Sequence, residues 1–494
     1  MKTPIHLQQQ NLEEVGSLMP VPTYTRKDNK TGIVHVGVGG FHRAHQAYYL
    51  HQLSQLGQAS AWNICGIGIR EGDQKLHDIF KEQDNLYTLL IKHSDGKIEP
   101  QVIGSIVDFE MGFADPEPVI GRMADADTRI VSLTITEGGY NFNPTTGDFD
   151  FDNLDIQHEL RHPNDPKTVY GFLTAALKRR RENGLPAFTI LSCDNIEHNG
   201  DMLRKMLLSF AEAQDARLAD WIGKEVSFPN CMVDRITPVT ANADIETLAQ
   251  NYGVDDAWPV TCEPFIQWVI EDNFANGRPE LEKVGVQFVP DVAPYEKMKL
   301  RLLNAGHSVL GLLGTIHGHP TINACMEDET FVIYLRAFLD DEATPVLGNI
   351  EGIDLEDYKD ILLKRFANPN IKDSVSRICS ESSAKLPKFL IPTIQENLET
   401  GGSIKFATLI LAAWCYYSDK GIDRHGQPIE IIDAMSSSLH KAAEQTKTDP
   451  LAFIRQESLF GNLINNERFT KLYTEEVQKI YEDANIKEYM KHMI

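Results

Sequence analysis

Ile33-Val34-His35-Val36-Gly37-Val38-Gly39-Gly40-Phe41-His42 runs from an apolar, β-branched strand into a glycine cluster, and Arg43 to Leu56 then take up a helical pattern. Strand, tight turn and helix in that order form the unit in which backbone N–H groups at a helix start hold a pyrophosphate. An ordinary turn also uses glycine, and the usual fingerprint has a third glycine where this chain has His42. The strand before and the helix after shift the reading toward dinucleotide binding. Gly37, Val38, Gly39, Gly40, Phe41, His42 and Arg43 then line the turn.

Working outward, further strand-like runs fall at Asn63 to Ile69, Ile130 to Thr136 and Phe188 to Ser192, separated by helical or loop stretches such as Tyr170 to Glu182. Strands alternating with helices imply right-handed crossovers and a parallel sheet, with ligands beyond the carboxyl ends of the strands. The residues that follow those ends are Gly37 to Gly40, Arg70 to Asp73, Thr136 with Glu137, and Cys193 to Asn195. A carboxylate after the second strand accepts hydrogen bonds from a ribose 2′-hydroxyl and repels a 2′-phosphate, so Glu71 or Asp73 favours NAD over NADP. Two features run against this. Asp73 lies farther from Gly39 than the usual ~20 residues, and Arg70 beside it suits a phosphate.

From about Pro294 the texture changes to long helical patterns: Lys297 to Leu313, Thr330 to Leu339, Leu355 to Phe366 and Ile404 to Tyr417. The expected architecture is α/β, with a Rossmann-type nucleotide-binding domain with additions over 1–290 and a predominantly α-helical domain over 291–494. A chain of 494 residues with 42% hydrophobic content can bury more than one core, which agrees with two domains. The longest apolar run, Phe406 to Tyr417, falls short of the ~20 residues of a membrane span and reads as a buried helix.

Charge and cysteines exclude whole classes. A net charge of −24 repels phosphate backbones and anionic lipid, so nucleic acid and membrane are not expected partners. Seven scattered cysteines with no C-x-x-C spacing indicate neither a disulfide framework nor a thiolate zinc site, and a reducing cytoplasm fits them. The sixteen histidines form no H-E-x-x-H, so no metal is expected.

The second informative stretch is Lys299-Leu300-Arg301-Leu302-Leu303-Asn304-Ala305-Gly306-His307. At 100° per residue, Lys299, Asn304 and His307 fall within an arc of about 140° and can face one cavity. Removing a hydride from a secondary alcohol requires a base for the hydroxyl proton and donors for the growing oxyanion. Lysine can take the proton, asparagine can steady the oxygen, and histidine can bond a neighbouring hydroxyl. On an amphipathic helix the same lysine could equally be a solvated side chain. Glu296, three residues earlier, could tune the lysine or relay its proton; an ordinary i, i+3 ion pair of ~0.2 to 0.5 kcal/mol explains it nearly as well.

Together, GVGGFHRAHQAYY from Gly37 and the Lys-x4-Asn-x2-His pattern of Lys299, Asn304 and His307 resemble the polyol-specific long-chain dehydrogenases, His42 included. TITEGGY at 134–140, SCDN at 192–195, MVDRITP at 232–238 and EPFIQWV at 263–269 extend the resemblance over nearly the whole chain. By that likeness Lys299 is general base, Asn304 and Asn195 are oxyanion donors, and Asp234, Arg377 and Lys385 line the polyol site. The implied reaction is the reversible, metal-independent oxidation of D-mannitol to D-fructose with NAD, by a monomer. Other substrates of the same family, D-arabinitol or a hexuronate ketose, are alternatives, since a carboxylate could pair with Arg377 or Lys385. A non-catalytic NAD-sensing protein is a further one, but it has no use for the lysine set.

Overall fold

The computed structural model describes residues 3–26, 30–143, 146–482 and 485–494. Two compact units result, Met1–His93 with Lys97–Ala293, and Pro294–Ile494 with Ser94–Gly96.

The first unit is built on a five-stranded parallel sheet: β1 (Thr31–Val36), β2 (Asn63–Gly68), β3 (Ile106–Met111), β4 (Ile130–Leu133) and β5 (Thr189–Ser192). Its spatial order is β3-β2-β1-β4-β5. The chain thus builds leftward from β1 and then returns to β1's other side, which makes the gap between the carboxyl ends of β1 and β4 a topological switch point. Period-two alternation covers both faces: Val34 and Val36 pack in one core with Val131, Leu133, Phe172 and Phe210, while Ile33 packs in the other with Leu50, Leu53, Ile64 and Leu191.

Three of the four expected strands keep their full apolar run to within a residue, and the third is cut short. Ile135 and Thr136 leave the sheet, so β4 ends at Leu133. The unexpected strand, β3, sits at the sheet edge; its Asp108 and Glu110 point to Arg122, which pairs with both at 2.6 and 2.7 Å. Those acids interrupt the apolar pattern a strand reading relies on. Smaller sheets add to the unit, among them Cys231–Asp234 antiparallel to Gln267–Glu271.

The expected helix over Arg43 to Leu56 is two helices, α1 (Gly40–Ala44) and α2 (Gln46–Gln55), broken at His45 with φ −118° and ψ −84°.

The second unit is helical. Its centre is α3 (Lys405–Lys420), with Phe406 to Asp419 buried throughout, as its unbroken apolar composition requires. No side chain of its own caps α3; the distant carboxylate of Glu342 accepts from the N–H of Phe406 and Ala407, both at 2.8 Å, and Gly421 closes the other end at φ +59°. No helix among the described residues is long and apolar enough to cross a membrane.

Candidate active site

The turn after β1 demands glycine at its first position. Gly37 has φ +94°, and a Cβ there would stand 2.1 Å from the carbonyl oxygen of Thr134. Thr134 also donates its hydroxyl to the Gly37 carbonyl at 2.6 Å, so the segments after β1 and β4 are in direct contact. At Gly39 and Gly40 the opposite holds: an added Cβ would meet nothing nearer than 3.9 and 3.8 Å. Space of that kind beside a helix start, where the first N–H groups lack intrahelical acceptors, admits a ligand close to the backbone.

Three of the residues expected to line this turn face inward instead. Val38 packs on Gly66, where a Cβ would lie 2.7 Å from the valine methyl. His42 is buried and stacked on His35 at 3.4 Å between ring centroids. Burial, with His35 second, holds its pKa well below the usual histidine value, so both rings are neutral. Arg43 is also buried; it donates to the Trp258 carbonyl at 2.7 Å and lies by the rings of Tyr87 and Phe80. The His42 ring, through its stack on His35, and the Arg43 guanidinium, through its bond to the Trp258 carbonyl, thus pack beneath the turn. Only their backbone, with Gly39, Gly40 and Phe41, is left to meet a ligand.

After β2, Glu71 is exposed, whereas Asp73 serves its own turn. Its carboxylate accepts from the N–H of Ile69 at 3.1 Å and of Arg70 at 3.0 Å, and the Arg70 guanidinium stands 3.6 Å away. After β4, Thr136 and Glu137 are exposed, and Thr136 holds φ +60° and ψ 170°. Asn195 is exposed just past β5, and Asp234 is buried at the end of its short strand.

In the second unit the expected continuous helix is three pieces: Ala293–Met298, a π-helical Lys299–Asn304, and α-helical Ala305–His317. This changes the geometry of the lysine set. Positions i and i+5 diverge by about 140° on an α-helix, but i→i+5 bonding closes one π turn and stacks them on one face. Lys299 and Asn304 are such a pair. The turn is anchored from its other side: Lys297 donates to the Val346 carbonyl at 2.7 Å and to Glu396 at 2.5 Å, and Arg301 to the Lys388 carbonyl at 2.7 Å and to Glu396 at 3.3 Å.

Lys299 is 7% exposed and Glu296 5%, so neither is a solvated helix-face residue. His307 is buried with its ring 4.3 Å from that of Phe366. The Asn304 amide carries the most telling feature: its Oδ1 is buried with no hydrogen-bond partner among the described residues. A half turn of the amide exchanges oxygen for NH₂, so the same position offers a donor. Leaving such a group unpaired costs ~1 to 3 kcal/mol, which a protein tolerates where a ligand completes the bond.

The two cations expected at the polyol site are eight residues apart in sequence and close in space, the Lys385 Nζ lying 3.5 Å from the Arg377 carbonyl. Arg377 is largely exposed and pairs with Asp373 at 2.7 Å. Lys385 donates to the Ile378 carbonyl at 3.1 Å, and burial, then the charge of Arg377, lowers its pKa.

Groups at metal-ligand distance among the described residues already have a cation. At His317, His319 and Asp328 the Lys487 ammonium stands 2.6 Å from the carboxylate, and beside Cys65 the acids Asp108 and Glu110 hold Arg122. All seven cysteines are buried free thiols.

Sequence reasoning did not assign Tyr140 or Asp194 a role, although both lie inside segments it singled out. The buried Asp194 carboxylate accepts from the N–H of Ile135 at 3.1 Å and Thr136 at 2.9 Å, and from the Tyr140 hydroxyl at 2.9 Å. Glu396, which anchors the π turn, had no signal at all: it lies almost a hundred residues away in an unremarkable polar stretch.

Two family models match the chain, the mannitol dehydrogenase Rossmann domain over residues 31–283 and the mannitol dehydrogenase C-terminal domain over 291–481. The mannitol 2-dehydrogenase of Neosartorya fischeri is 42% identical over 99% of each chain, and that of Pyricularia oryzae 44% identical over 94% of this chain and 93% of its own. Among solved structures, the Pseudomonas fluorescens mannitol 2-dehydrogenase in ternary complex with NAD and D-mannitol is similar at a TM-score of 0.88, with 44% identity over 99% of both chains. A D-sorbitol dehydrogenase in substrate-free form is similar at 0.90, with 35% identity, over 96% of this chain and 98% of that one.

Proposed function

The chain belongs to the mannitol dehydrogenase family, and on that premise we propose that it is an NAD-dependent polyol dehydrogenase that oxidises D-mannitol reversibly to D-fructose. The observation that supports this chemistry best is the π turn, which carries a buried lysine and, five residues on, an asparagine whose buried Oδ1 has no hydrogen-bond partner among the described residues.

The residues present suit the cofactor: Gly39 and Gly40 leave room for a pyrophosphate against the backbone, and the carboxylates at Glu71 and Asp73 suit an unphosphorylated ribose. Thr136 and Glu137, at the switch point, complete its surroundings. NAD, when bound, accepts the hydride from the alcohol carbon. Lys299 Nζ takes the hydroxyl proton, which gives the reaction a base without a metal-bound hydroxide. The amides of Asn304 and Asn195 donate to the oxygen as charge develops on it, and His307, Asp234, Arg377 and Lys385 hold the remaining hydroxyls. Glu296, buried three residues before the lysine, receives the proton from it. In reduction each transfer runs backward.

The full-length likeness to a D-sorbitol dehydrogenase favours sorbitol as a second substrate. Seven free, buried thiols support a reducing, cytoplasmic setting, and the net charge of −24 opposes nucleic acid and membrane as partners. We take the enzyme to act as a monomer. The test is initial-rate measurement of NADH formation with D-mannitol, D-sorbitol, D-arabinitol and the uronate-derived alcohols, each with NAD and NADP. Mannitol with NAD is expected to give the highest kcat/KM; a uronate-derived alcohol ahead of it would overturn the assignment, and cofactor binding without turnover would make the chain a sensor.

A further inference from the structure

Thr136 occupies a backbone region, φ +60° and ψ 170°, that is essentially reserved for glycine and costs about 1 to 3 kcal/mol for a side-chain-bearing residue. Something must hold it there. The holder is Asp194, whose buried carboxylate accepts from the N–H of Thr136 at 2.9 Å, from that of Ile135 at 3.1 Å and from the Tyr140 hydroxyl at 2.9 Å. The tyrosine is fixed in turn, its hydroxyl on Ser192 and its carbonyl on the hydroxyl of Tyr170 at 2.8 Å. On its other side, the Asp194 carbonyl accepts from the Asn199 amide at 3.1 Å, and that amide also donates to the Cys231 carbonyl at 2.8 Å. One residue therefore ties together three segments of the first unit: Ile135–Tyr140 after β4, Asn195 after β5, and the strand that ends in Asp234.

We propose that Asp194 is a positioning residue that clamps Thr136 in its strained conformation and so sets the cofactor-facing segment after β4 in register with Asn195, its own neighbour in the chain. The proposal rests on the polyol dehydrogenase reading above. A carboxylate is required because the three groups facing it are all donors and an ionised carboxylate only accepts. An asparagine there would set its own NH₂ against one of them and release Thr136 toward an ordinary conformation.

The test is a double-mutant cycle on the full-length protein, with kcat, KM for mannitol, and the Kd for NAD from titration calorimetry as readouts. Asp194→Asn is expected to lower kcat/KM about 10- to 100-fold, the scale that misplacing a reacting group by an ångström produces, and to weaken NAD binding. Glycine adopts the Thr136 conformation without strain, so the same Asp194→Asn change should cost several-fold less in a Thr136→Gly background. A purely structural role for Asp194 produces no such dependence. Equal losses in both backgrounds, or an Asp194→Asn protein with unmodified kcat/KM and Kd, would overturn the proposal. Should Asp194→Asn not fold, Tyr140→Phe removes one of the three donors, and its smaller loss must show the same dependence on residue 136. If the unmodified chain turns over no polyol, the functional reading fails, while the cycle stays readable in the NAD Kd. If it does not bind NAD either, both fail.

Discussion

The glycine turn after β1 and the π turn at Lys299–Asn304 treat polar groups in opposite ways. At the first, polar side chains are kept out of the way: Gly39 and Gly40 present bare backbone, while His42 and Arg43 are buried beneath. At the second, polar side chains are brought together out of water, and the amide of Asn304 is left incomplete. Recognition through backbone needs absence of Cβ; chemistry needs particular side chains held in place. The two regions should therefore respond differently to substitution, the first through binding and the second through turnover.

Lys299→Ala is the largest expected effect. General acid–base groups commonly contribute ~10²- to 10⁴-fold, so kcat should fall by at least that much while the NAD Kd from calorimetry stays within about twofold. Because only the neutral amine accepts a proton, oxidation by the unmodified enzyme should fall toward acid pH, and reduction, which needs the ammonium, toward alkaline pH. A variant with near-normal kcat and the same pH profile would end the comparison on the side of a structural lysine.

Asn304→Ala should cost about 10²- to 10³-fold in kcat, the scale of one lost oxyanion donor. Because the Oδ1 of the amide has no hydrogen-bond partner among the described residues, folding stability should change little, and a large drop in Tm would show that the group is structural.

Gly37→Ala should act on binding instead. Its φ of +94° and the 2.1 Å approach to the Thr134 carbonyl force the segments after β1 and β4 apart. A strain of ~1 to 3 kcal/mol corresponds to a roughly 5- to 150-fold weaker NAD Kd. Wild-type affinity would show that the cofactor does not depend on this turn.

How much of this was legible follows the same division. The turn could be read because glycine in a strand–helix context has few physical explanations, and the parallel sheet because its buried strands are continuous apolar runs. β3 was hidden by Asp108 and Glu110, and the break at His45 by an uninterrupted helical pattern. The lysine set was visible as residue types at a spacing, yet what aligns it was not: a π turn has no sequence signature in Lys299–Asn304, and its anchor Glu396 is remote in the chain. Asp194 lay in plain view within SCDN, but its partners are the backbone N–H groups of a loop sixty residues away, and backbone donors leave no trace in a residue pattern.

The second unit offers a contrast to Asn304 in Glu342, a buried polar group that is fully served by Phe406, Ala407 and Ser403. Burial raises its pKa from 4.5 to about 7 despite those donors. A carboxyl whose folded pKa lies above its unfolded one stabilises the fold fully below the unfolded value, and that contribution is lost as pH rises through the folded value. Stability should therefore decline between about pH 4.5 and 7 by more in the unmodified chain than in Glu342→Gln, by at most about 3 kcal/mol, and the difference should be read as a steeper fall in Tm over that range. Parallel Tm curves for the two would remove Glu342 as the cause.

The smallest effect concerns which acid sets the preference for NAD, and it applies the contrast between open and occupied groups to the first unit. The sequence leaves Glu71 and Asp73 equal. The structure separates them: Asp73 is committed to the N–H groups of Ile69 and Arg70 and to the nearby Arg70 guanidinium, whereas Glu71 is exposed. A charge facing a phosphate through water at ~4 Å is worth about 1 kcal/mol, so Glu71→Ala should narrow the NAD-to-NADP ratio of kcat/KM by about fivefold and leave Tm unchanged. Asp73→Ala should narrow it too, but by unfastening the turn, and so with a lower Tm and a weaker hold on NAD itself. Arg70 then becomes the informative residue, because loss of Asp73 releases its guanidinium toward a 2′-phosphate. If Asp73→Ala improves NADP use more than Glu71→Ala does, and Asp73→Ala with Arg70→Ala does not, discrimination comes from restraining the arginine, and the acid acts on the phosphate only through it.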